Sequence, residues 1–343
     1  MAWFGRHRRI LPWRSHPTPY RVWISEIMLQ QTQVATVTPY FERFLETFPT
    51  ASALAAAPLE KVLKSWEGLG YYSRARNLHR AAREIVARHE GRLPDTVASL
   101  ESLPGIGPYT AAAIASIAYG HPVAAIDGNV LRVTARFQGI ENEIRTPAAR
   151  RRVEAVLMPA VQTENPSDFN QALMELGALV CRPGVPACDA CPLAPFCVAK
   201  RENRTAELPV KAPRKSIPHY HVAVGLIWRD GDVLILRRGT DQMLGGLWEF
   251  PGGKLRERES PAEAVEREVR EETGLRVKAC GRIGTVRHGY SHFRITLTAF
   301  HCQLIDAAGR VDSDRPHAWV PPAEFGNYPF PKANHKIFAL LRA

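Results

Sequence analysis

Residues 181–197 read CRPGVPACDACPLAPFC and place four cysteines within one short segment. The spacing is C-x6-C-x2-C-x5-C, running from Cys181 through Cys188 and Cys191 to Cys197. Cysteines at this density either pair as disulfides or bind a metal. The chain begins without an apolar signal segment, so we expect a reducing compartment, where metal binding is favoured. Four thiolates suit zinc or an iron–sulfur cluster, although the spacing and the four intervening prolines fit poorly with the paired C-x2-C loops of a structural zinc site.

Length and charge limit the class of protein. The chain has 343 residues, which is enough for about two domains. It carries 45 Lys and Arg against 34 Asp and Glu, a formal net charge of +11. Such an excess suggests a polyanionic partner such as nucleic acid, although a basic surface also serves solubility. No segment approaches the roughly 18 apolar residues of a membrane span, so we expect no membrane association. Cys280 and Cys302 lie outside the four-cysteine segment, and we expect both in a hydrophobic core.

The texture of the sequence changes near residue 218. Before it, apolar residues recur at three- and four-residue spacing, which predicts helices. Residues 206–218 read AELPVKAPRKSIP and predict a linker. We therefore predict a multidomain chain, with an all-α domain over 1–205 and an α+β domain over 219–343. The predicted helices are Pro58–Trp66, Ser73–Glu90, Tyr109–Ala118, Val130–Phe137, Asp168–Val180 and Pro261–Thr273, and the predicted strands are Tyr220–Trp228, Val233–Arg237, Ile295–Leu304 and Ala318–Val320.

A glycine-rich turn stands in the first half, where residues 99–111 read SLESLPGIGPYTA. Gly105 and Gly107 flank Ile106 in a tight turn, and a helix is predicted from about Pro108. A turn of this kind directs backbone N–H groups outward at a helix N-terminus, which suits a phosphate. The alternative is a plain turn between two helices that binds no ligand.

Two carboxylates stand in distinctive surroundings. Asp127 precedes a helical run and should cap it, and both the helix end and the hydrogen bonds favour its charged form. It serves either as a cap alone or also as an anion that faces a cationic transition state. Glu26 lies among apolar residues and would form a polar strip on a helix with Gln30 and Gln33. Such surroundings raise a carboxyl pKa and suit a general acid, whereas the alternative is the solvated face of an amphipathic helix.

Seven segments of the first half, taken in chain order, carry a resemblance to a known family. They are distributed over nearly all of residues 11–200, and the last of them is the four-cysteine segment. The other six are LPWR (11–14), SEIMLQQTQV (25–34), GLGYYSRARNLH (68–79), LPGIGPYTA (103–111), DGNV (127–130) and FNQALMELGALVC (169–181).

These segments resemble the adenine DNA glycosylases called MutY, members of the endonuclease III-like superfamily that remove adenine mispaired with 8-oxoguanine. The resemblance implies a helix–hairpin–helix fold with a [4Fe–4S] cluster on the four cysteines. It implies double-stranded DNA containing A:8-oxoguanine or A:G as the partner, and we expect a monomer associated with the nucleoid of a bacterial cytoplasm. By the same resemblance Glu26 protonates adenine, Asp127 stabilises the sugar cation, and Tyr109 and Asn129 lie beside it. The adenine pocket would contain Leu11, Trp13, Arg14 and Gln171, and the DNA contacts would come from Gln30, Gln31, Thr32, Leu69, Tyr71, Gly105 and Gly107, with Gln31 and Tyr71 as wedges in the duplex.

The chemistry of base removal is consistent with these residue types. Adenine leaves poorly until it is protonated, and its departure leaves an oxocarbenium-like sugar that an ionised carboxylate stabilises. Relatives that cut the strand carry a hairpin lysine that forms a Schiff base. The matching position here is Tyr109, and no lysine lies between Lys64 and Lys200. We therefore predict base removal without efficient strand cleavage. A second departure is Gln171, where a carboxylate is as common as an amide.

The second half contains an unbroken Nudix box. Residues 253–275 match G-x5-E-x7-R-E-U-x-E-E-x-G-U, where U is aliphatic, and so resemble MutT, the hydrolase of oxidised dGTP. The pattern predicts a loop, a helix and a loop. Gly253 with Glu268, Glu271 and Glu272 would then hold Mg²⁺ at a diphosphate. The alternative is a solvated helix face on which arginines and glutamates pair.

The role of this second domain stays open among three interpretations. MutY proteins end in a Nudix-like domain that reads 8-oxoguanine, and Tyr290, Ser291 and His292 match the loop that contacts the lesion. Asn334 matches the purine-reading asparagine of MutT. The domain therefore reads the lesion, or hydrolyses 8-oxo-dGTP in addition, or is purely structural. Ser291 and His292 also fit an ordinary polar loop.

Two hypotheses from other classes remain. In one, the chain is a nucleotide hydrolase that uses its first half only to bind DNA. In the other, it is a mismatch-binding protein without catalysis, which the presence of both Glu26 and Asp127 argues against.

Overall fold

The computed structural model describes residues 1–213 and 216–341, and these residues divide into two units. The first unit comprises residues 1–56 and 77–213, and the second comprises 57–76 and 216–341. The predicted domain boundaries at residues 205 and 219 stay a prediction. The linker residues 214 and 215 lie outside the described residues. Sequence patterning did not indicate that residues 57–76 pack with the second unit.

Helices form nearly all of the regular structure before residue 213. Several begin at a residue whose side chain accepts a hydrogen bond from a first-turn amide, as Thr96, Thr146 and Asn165 do, which satisfies amides that the helix leaves unpaired. In chain order the helices are α1 (Ala2–His7), α2 (Pro12–Ser15), α3 (Pro19–Leu29), α4 (Val34–Thr47), α5 (Ala51–Ala56), α6 (Leu59–Ser65), α7 (Ser73–His89), α8 (Val97–Glu101), α9 (Pro108–Tyr119), α10 (Gly128–Gln138), α11 (Pro147–Thr163), α12 (Pro166–Leu179) and α13 (Val198–Arg201).

The alanine-rich helix α9 lies at the centre of the first unit. Its residues Ala111, Ala113 and Ala115 are fully buried, and α3 and α12 pack against it. Small side chains let neighbouring helices approach closely, so groups on α3, α9 and α12 meet around a common space. The five helices predicted before residue 205 are confirmed, each to within two residues at either end.

The second unit is built on a seven-stranded mixed sheet. Its strands are β1 (His219–Arg229), β2 (Asp232–Arg237), β3 (Trp248–Glu249), β4 (Gly252–Lys254), β5 (Val277–Gly289), β6 (Arg294–Leu304) and β7 (His317–Val320). The order is β3-β2-β1-β6-β5, with β4 paired to β1 and β7 paired to β2. Strands β1 and β6 run parallel, and the other pairs are antiparallel.

Two helices, α14 (Pro261–Thr273) and α15 (Lys332–Leu341), cover the sheet. Helix α14 packs on one face, where Gly225 leaves space for it, since a Cβ there would lie 3.0 Å from Val265. The other face packs against α15 and a cluster of phenylalanines that includes Phe250 and Phe330. The sheet is therefore buried on both faces, which explains the apolar runs of β1 and β2.

Some expectations for the second half were incomplete or wrong. The predicted strands and α14 are confirmed, but β5 and α15 were not predicted. Cys302 is buried as expected, whereas Cys280 is exposed because it points away from the core on β5. Over residues 1–213 and 216–341, no helix combines the length and the apolar composition that a membrane span requires. The bacterial cytoplasmic location and the monomeric state stay predictions.

Candidate active site

A cavity of about 980 Å³ in the first unit is lined by side chains from α2, α3, α9, α10 and α12. Gly105, Leu69 and Tyr71 lie elsewhere, and the last two belong to the second unit. The cavity brings most of the predicted catalytic, pocket and DNA-contacting residues together. Those that line it are Leu11, Trp13, Arg14, Glu26, Gln30, Gln31, Thr32, Gly107, Tyr109, Asp127, Asn129 and Gln171.

Glu26 lies on α3 with only 6% of its surface exposed. The Tyr109 hydroxyl donates a hydrogen bond of 2.6 Å to Glu26 Oε2. Burial raises the pKa of Glu26 to about 7, the Tyr109 hydrogen bond opposes this rise, and the nearby charge of Asp127 adds to it. The raised pKa agrees with the direction predicted from the apolar surroundings. A large fraction of Glu26 therefore carries a proton at neutral pH.

The polar strip predicted for Glu26, Gln30 and Gln33 is wrong. Helix α3 ends at Leu29, and Gln31 takes a positive φ of 57°. The chain turns here, so Gln30 and Gln33 do not continue the helix. Gln31 is instead exposed at the tip of this turn, on the rim of the cavity.

Asp127 caps α10, as predicted. Its Oδ1 accepts from the Val130 amide at 2.7 Å, and its Oδ2 accepts from Asn129 Nδ2 at 2.8 Å. Asn129 Oδ1 in turn accepts from Arg132 Nη2 at 2.8 Å. Burial raises the pKa of Asp127 although these hydrogen bonds and the Arg132 charge lower it. The net direction is opposite to the one that capping alone predicted, because the cap lies inside the protein and not on its surface.

A hairpin formed by α8, a tight turn and α9 carries one wall of the site. Gly105 has a φ of +80°, and a Cβ at this position would lie 2.7 Å from the Cβ of Asn77. Gly107 caps α9 and is exposed, and Pro108 begins the helix. The turn predicted around Ile106 is confirmed. The amides of the first turn of α9 thus stand at an exposed helix N-terminus, where an anion is stabilised.

A buried ion-pair network that was not predicted holds the pocket arginine. Glu175 on α12 has a side chain only 1% exposed, and its Oε2 lies 2.8 Å from Arg9 Nη2 and 3.1 Å from Arg14 Nη2. Burial alone would raise the pKa of Glu175, but the hydrogen bonds from Arg9 and Arg14 lower it to about 2. Arg14 Nε also donates to Gln171 Oε1 at 2.9 Å. In the sequence, Glu175 could have been recognised only as a carboxylate within an apolar helix, which is the pattern that identified Glu26.

The four cysteines of residues 181–197 surround one small cavity, with Val133, Leu176 and Leu193 among its other walls. All six cysteines of the chain carry free thiols. Arg136 Nη1 donates to the Cys181 sulfur at 3.4 Å. In the part of the chain that the structure describes, no group of three or more His, Cys, Asp or Glu is arranged to hold a single metal ion. Four thiols around a mostly apolar cavity form a donor set that suits an iron–sulfur cluster.

The predicted lesion-reading residues form a tight turn between β5 and β6. The Tyr290 amide donates to the Phe293 carbonyl at 2.8 Å, and the Tyr290 ring packs against Phe293 and His288. Ser291 and His292 are exposed at the tip of this turn. The turn therefore presents both side chains to solvent, next to the packed rings of His288, Tyr290 and Phe293.

The Nudix box folds as predicted, with β4, a loop and α14. Gly253 lies directly against Glu268, since a Cβ there would be 2.3 Å from the carboxyl carbon. Arg267 pairs with Glu268 at 2.7 Å and with Glu271 at 3.1 Å, and Glu272 accepts from Arg315 at 2.6 Å. Arginines therefore neutralise the three carboxylates of the predicted Mg²⁺ site. Asn334 is buried on α15.

Two family models match separate parts of the chain. The HhH-GPD superfamily of base excision DNA repair proteins matches residues 24–159. The NUDIX domain matches residues 223–340. The first match includes the hairpin and both cavity carboxylates Glu26 and Asp127. The predicted combination of an all-α helix–hairpin–helix domain and an α+β Nudix-like domain is thereby confirmed.

Three relatives described as adenine DNA glycosylases match most or all of this chain. The adenine DNA glycosylase of Mus musculus is 33% identical, over 99% of this chain and 76% of that protein. The adenine DNA glycosylase of Homo sapiens is 32% identical, over 100% of this chain and 73% of that protein. The protein of the same description from Buchnera aphidicola subsp. Acyrthosiphon pisum is 33% identical, over 85% of this chain and 82% of its own.

Solved structures support the same class of fold. A thermostable thymine-DNA glycosylase aligns with a TM-score of 0.52 and 27% identity, covering 59% of this chain and 93% of that one. A trapped covalent intermediate of endonuclease III with DNA aligns with a TM-score of 0.51 and 26% identity, covering 59% of this chain and 92% of that one.

Proposed function

This chain belongs to the adenine DNA glycosylase family and is a DNA N-glycosylase of base excision repair, and we propose that it removes adenine paired with 8-oxoguanine or guanine and leaves the DNA strand intact. The observation that carries this proposal is the meeting of Glu26, Tyr109 and Asp127 in one cavity. That cavity combines a proton donor with an anion, which base removal requires.

Glu26 supplies the proton. Its raised pKa keeps the carboxyl protonated near neutral pH, so it can donate to a ring nitrogen of a flipped adenine. Protonation turns adenine into a good leaving group. The Tyr109 hydroxyl holds the carboxyl in one orientation while this happens.

Asp127 stabilises the sugar cation that forms as adenine leaves. Asn129 and the Val130 amide orient the carboxylate, and Arg132 fixes Asn129 from behind. A buried, pre-oriented anion acts strongly on a developing positive charge because little solvent must reorganise. Water then adds to the sugar carbon, and the proton that it loses returns to the Glu26 carboxylate.

Tyr109 explains why the strand is not cut. It occupies the hairpin position at which strand-cutting relatives carry an amine nucleophile. Burial, with the nearby Glu26 and Asp127, raises its pKa well above the ordinary value, so the hydroxyl stays neutral. A neutral phenol that donates to Glu26 does not form a Schiff base, and base removal therefore ends at an abasic site.

The four cysteines of residues 181–197 would hold a [4Fe–4S] cluster. Such a cluster would supply a covalent staple that orders the loops between α12 and α13. This chain's own residues support the segment from below, since Arg136 donates to the Cys181 sulfur and to the Arg182 carbonyl. With these loops ordered, the basic side chains in and next to the segment, among them Arg182 and Lys200, would contact DNA phosphates.

The second unit reads the base opposite adenine. The exposed Ser291 and His292 on the turn at Tyr290 support this role, since both can hydrogen-bond to the edge of an oxidised guanine. Lesion reading by one unit and adenine removal by the other would restrict adenine removal to the mispair.

A second candidate activity for this unit is the Mg²⁺-dependent hydrolysis of 8-oxo-dGTP. It is favoured by the contact of Gly253 with Glu268, which brings the loop of the intact Nudix box onto its helix. Glu271 has a side chain 45% exposed, and a metal bound there would displace its pairs with Arg256 and Arg267. Release of pyrophosphate from 8-oxo-dGTP with Mg²⁺, abolished in Glu271→Gln, would establish it. An unchanged rate in that variant would exclude the box as its source.

The proposed function is tested by single-turnover assays on duplexes that carry one A:8-oxoguanine, A:G or A:T pair. Mass spectrometry of the released base should find adenine from the first two duplexes and not from the third. Asp127→Asn should lose at least about a hundredfold in rate, the scale of removing one pre-organised electrostatic group. Equal release of adenine from A:T would refute the proposed selectivity.

A further inference from the structure

The segment formed by residues 57–76, here called the bridging segment, is fastened to the C-terminal part of the chain through Glu67. Glu67 Oε1 accepts from the Phe330 amide at 2.8 Å and lies 2.8 Å from His335 Nε2. Lys64 Nζ donates to Glu67 Oε2 at 2.6 Å and to the Tyr328 carbonyl at 3.2 Å. Burial alone would raise the pKa of Glu67, but His335, Lys64 and the Phe330 amide lower it, so the carboxylate stays charged.

Further contacts hold both ends of the bridging segment. At its start, Trp248 Nε1 donates to a carboxylate oxygen of Glu60. At its end, Arg76 Nη1 donates to the Gly245 carbonyl at 2.8 Å. Between them, Gly246 approaches Leu63 so closely that a Cβ there would lie 2.9 Å from Leu63 Cδ1. The bridging segment is thus attached at several points to residues more than 160 positions away in the chain.

The loop after Glu67 is held by side-chain hydrogen bonds and presents Tyr71. Gly68, Gly70 and Tyr71 all have positive φ angles, of 97°, 73° and 49°. The loop carbonyl of Gly70 accepts from Trp66 Nε1 at 3.2 Å and from Arg74 Nη2 at 3.1 Å. Tyr71 is 36% exposed at its tip. The residue before Tyr71 is therefore hydrogen-bonded to Trp66, the chain neighbour of Glu67.

The other partner of Glu67 leads to the turn at Tyr290. His335 lies on α15, and the next residue, Lys336, donates from Nζ to the Arg287 carbonyl of β5 at 2.9 Å. Strand β5 ends at Gly289, immediately before the turn. Contacts therefore run without a gap from that turn through β5 and α15 to Glu67.

We propose that Glu67 and His335 form a joint that fastens the Tyr71 loop to the lesion-reading turn, so that Glu67 is a positioning residue for selectivity between 8-oxoguanine and guanine opposite adenine. This inference rests on the proposed function, in which the turn contacts the base opposite adenine, and on the wedge role that the family resemblance implies for Tyr71. When 8-oxoguanine engages the turn, the joint holds Tyr71 at a set distance from it. Guanine engages the turn less well and gains less from the joint.

Glu67→Gln keeps the shape of the side chain and removes its charge, and it should therefore uncouple the two loops. Couplings between sites in proteins are typically about 5- to 150-fold in equilibrium terms. We expect the ratio of the excision rates on A:8-oxoguanine and A:G to fall at least about fivefold, within this range. The rate on A:G should stay within about twofold of that of the unmodified protein. His335→Ala, which breaks the joint from the other side, should act in the same way.

The test uses the full chain under single-turnover conditions on both duplexes. The variants are Glu67→Gln, Ser291→Ala and their combination. Ser291→Ala should lower the rate ratio in the unmodified background and have little further effect beside Glu67→Gln, because interacting sites are not additive. The matched control is Glu84→Gln, whose carboxylate forms an exposed pair with Arg88 at 3.8 Å and should leave the ratio unchanged.

Three results would overturn the inference. Glu67→Gln could keep the original ratio, it could lower both rates equally, or Ser291→Ala could lower the ratio equally in both backgrounds. If the unmodified protein releases no adenine, the proposed function fails separately. The joint is then tested by hydrogen exchange on a duplex containing 8-oxoguanine. Amides of Gly68–Tyr72 should gain protection in the unmodified protein and not in Glu67→Gln, and equal protection in both would refute the joint.

Discussion

The hydrogen bond between Tyr109 and Glu26 sets the pH at which the proposed acid loses its proton. The phenol donates at 2.6 Å to a buried carboxyl whose pKa is about 7, and it stabilises the charged form of that carboxyl. Tyr109→Phe removes the donor and keeps the ring. The pKa of Glu26 should therefore rise, and excision should persist to higher pH.

The size of this shift follows from the two protonation states. A hydrogen bond contributes about 1.5–3 kcal/mol to a charged acceptor and about 0.5–1.5 kcal/mol to a neutral one. The difference is on the order of 1 kcal/mol, which corresponds to about one pH unit. The expected midpoint of the falling limb therefore moves from about 7 to roughly 8.

The assay is the single-turnover rate of adenine release as a function of pH, which reports groups in the enzyme–DNA complex. Tyr119→Phe is the matched control, because Tyr119 donates a bond of the same 2.6 Å to the Leu93 carbonyl from the same helix. The control should keep the original midpoint. A Tyr109→Phe midpoint that stays in place or moves to lower pH would refute the reasoning, even if the maximal rate falls.

Other perturbations test separate parts of the structure. Burial raises the pKa of Glu26 from 4.5 to about 7, so the folded state binds this proton more tightly than the unfolded state does. The free energy of unfolding should therefore fall as the pH rises from 4.5 to 7, and it should not recover above pH 7. Glu26→Gln removes this pH dependence. Between pH 4.5 and 8, its free energy of unfolding in urea should exceed that of the unmodified protein by up to about 3 kcal/mol. An equal pH dependence of unfolding in both proteins would contradict this expectation. Gly253→Ala places a Cβ 2.3 Å from the Glu268 carboxyl carbon, which is the far end of a flexible side chain, so Glu268 should move aside and thermal unfolding of the second unit should change by less than about 1 kcal/mol. A loss of about 1–3 kcal/mol, the usual cost of overpacking, would show instead that Glu268 is held in place. Cys191→Ser should lower iron and acid-labile sulfide together, whereas one zinc ion per unmodified chain would contradict the proposed cluster.

Motifs whose members act through local backbone geometry could be predicted from the sequence. The capping role of Asp127 could be predicted because a capping residue lies next in the chain to the amides whose hydrogen bonds it accepts. The turn at the glycines around Ile106 could likewise be predicted because a tight turn between helices needs them. Helix α14 was predicted to its end residues, and in the structure Ser260 and Gly274 cap it.

Features that depend on distant partners could not be predicted. Glu175 is recognisable as a buried anion only once Arg9 and Arg14 are brought to it from more than 160 residues away. Glu67 reads as one more surface carboxylate until Phe330 and His335 lie beside it. No local pattern records such pairs.

Strand β5 escaped prediction for a related reason. Its sequence contains glycines and charges, and two irregularities, between Ala279 and Gly281 and between Arg282 and Gly284, break its alternation. The strand forms because β6 supplies its hydrogen bonds and α15 covers it. The direction of the Asp127 pKa shift was predicted wrongly for the same reason. Burial raises this pKa, and burial depends on the assembled fold.

The central claim, adenine removal by an acid at Glu26 without strand cleavage, is tested most directly on one duplex with a single A:8-oxoguanine pair. The unmodified protein and Glu26→Gln are compared under single-turnover conditions, each with and without hot alkali. The account predicts strand breaks only after alkali, and only with the unmodified protein. Breaks without alkali, or excision by Glu26→Gln at the original rate, would contradict it.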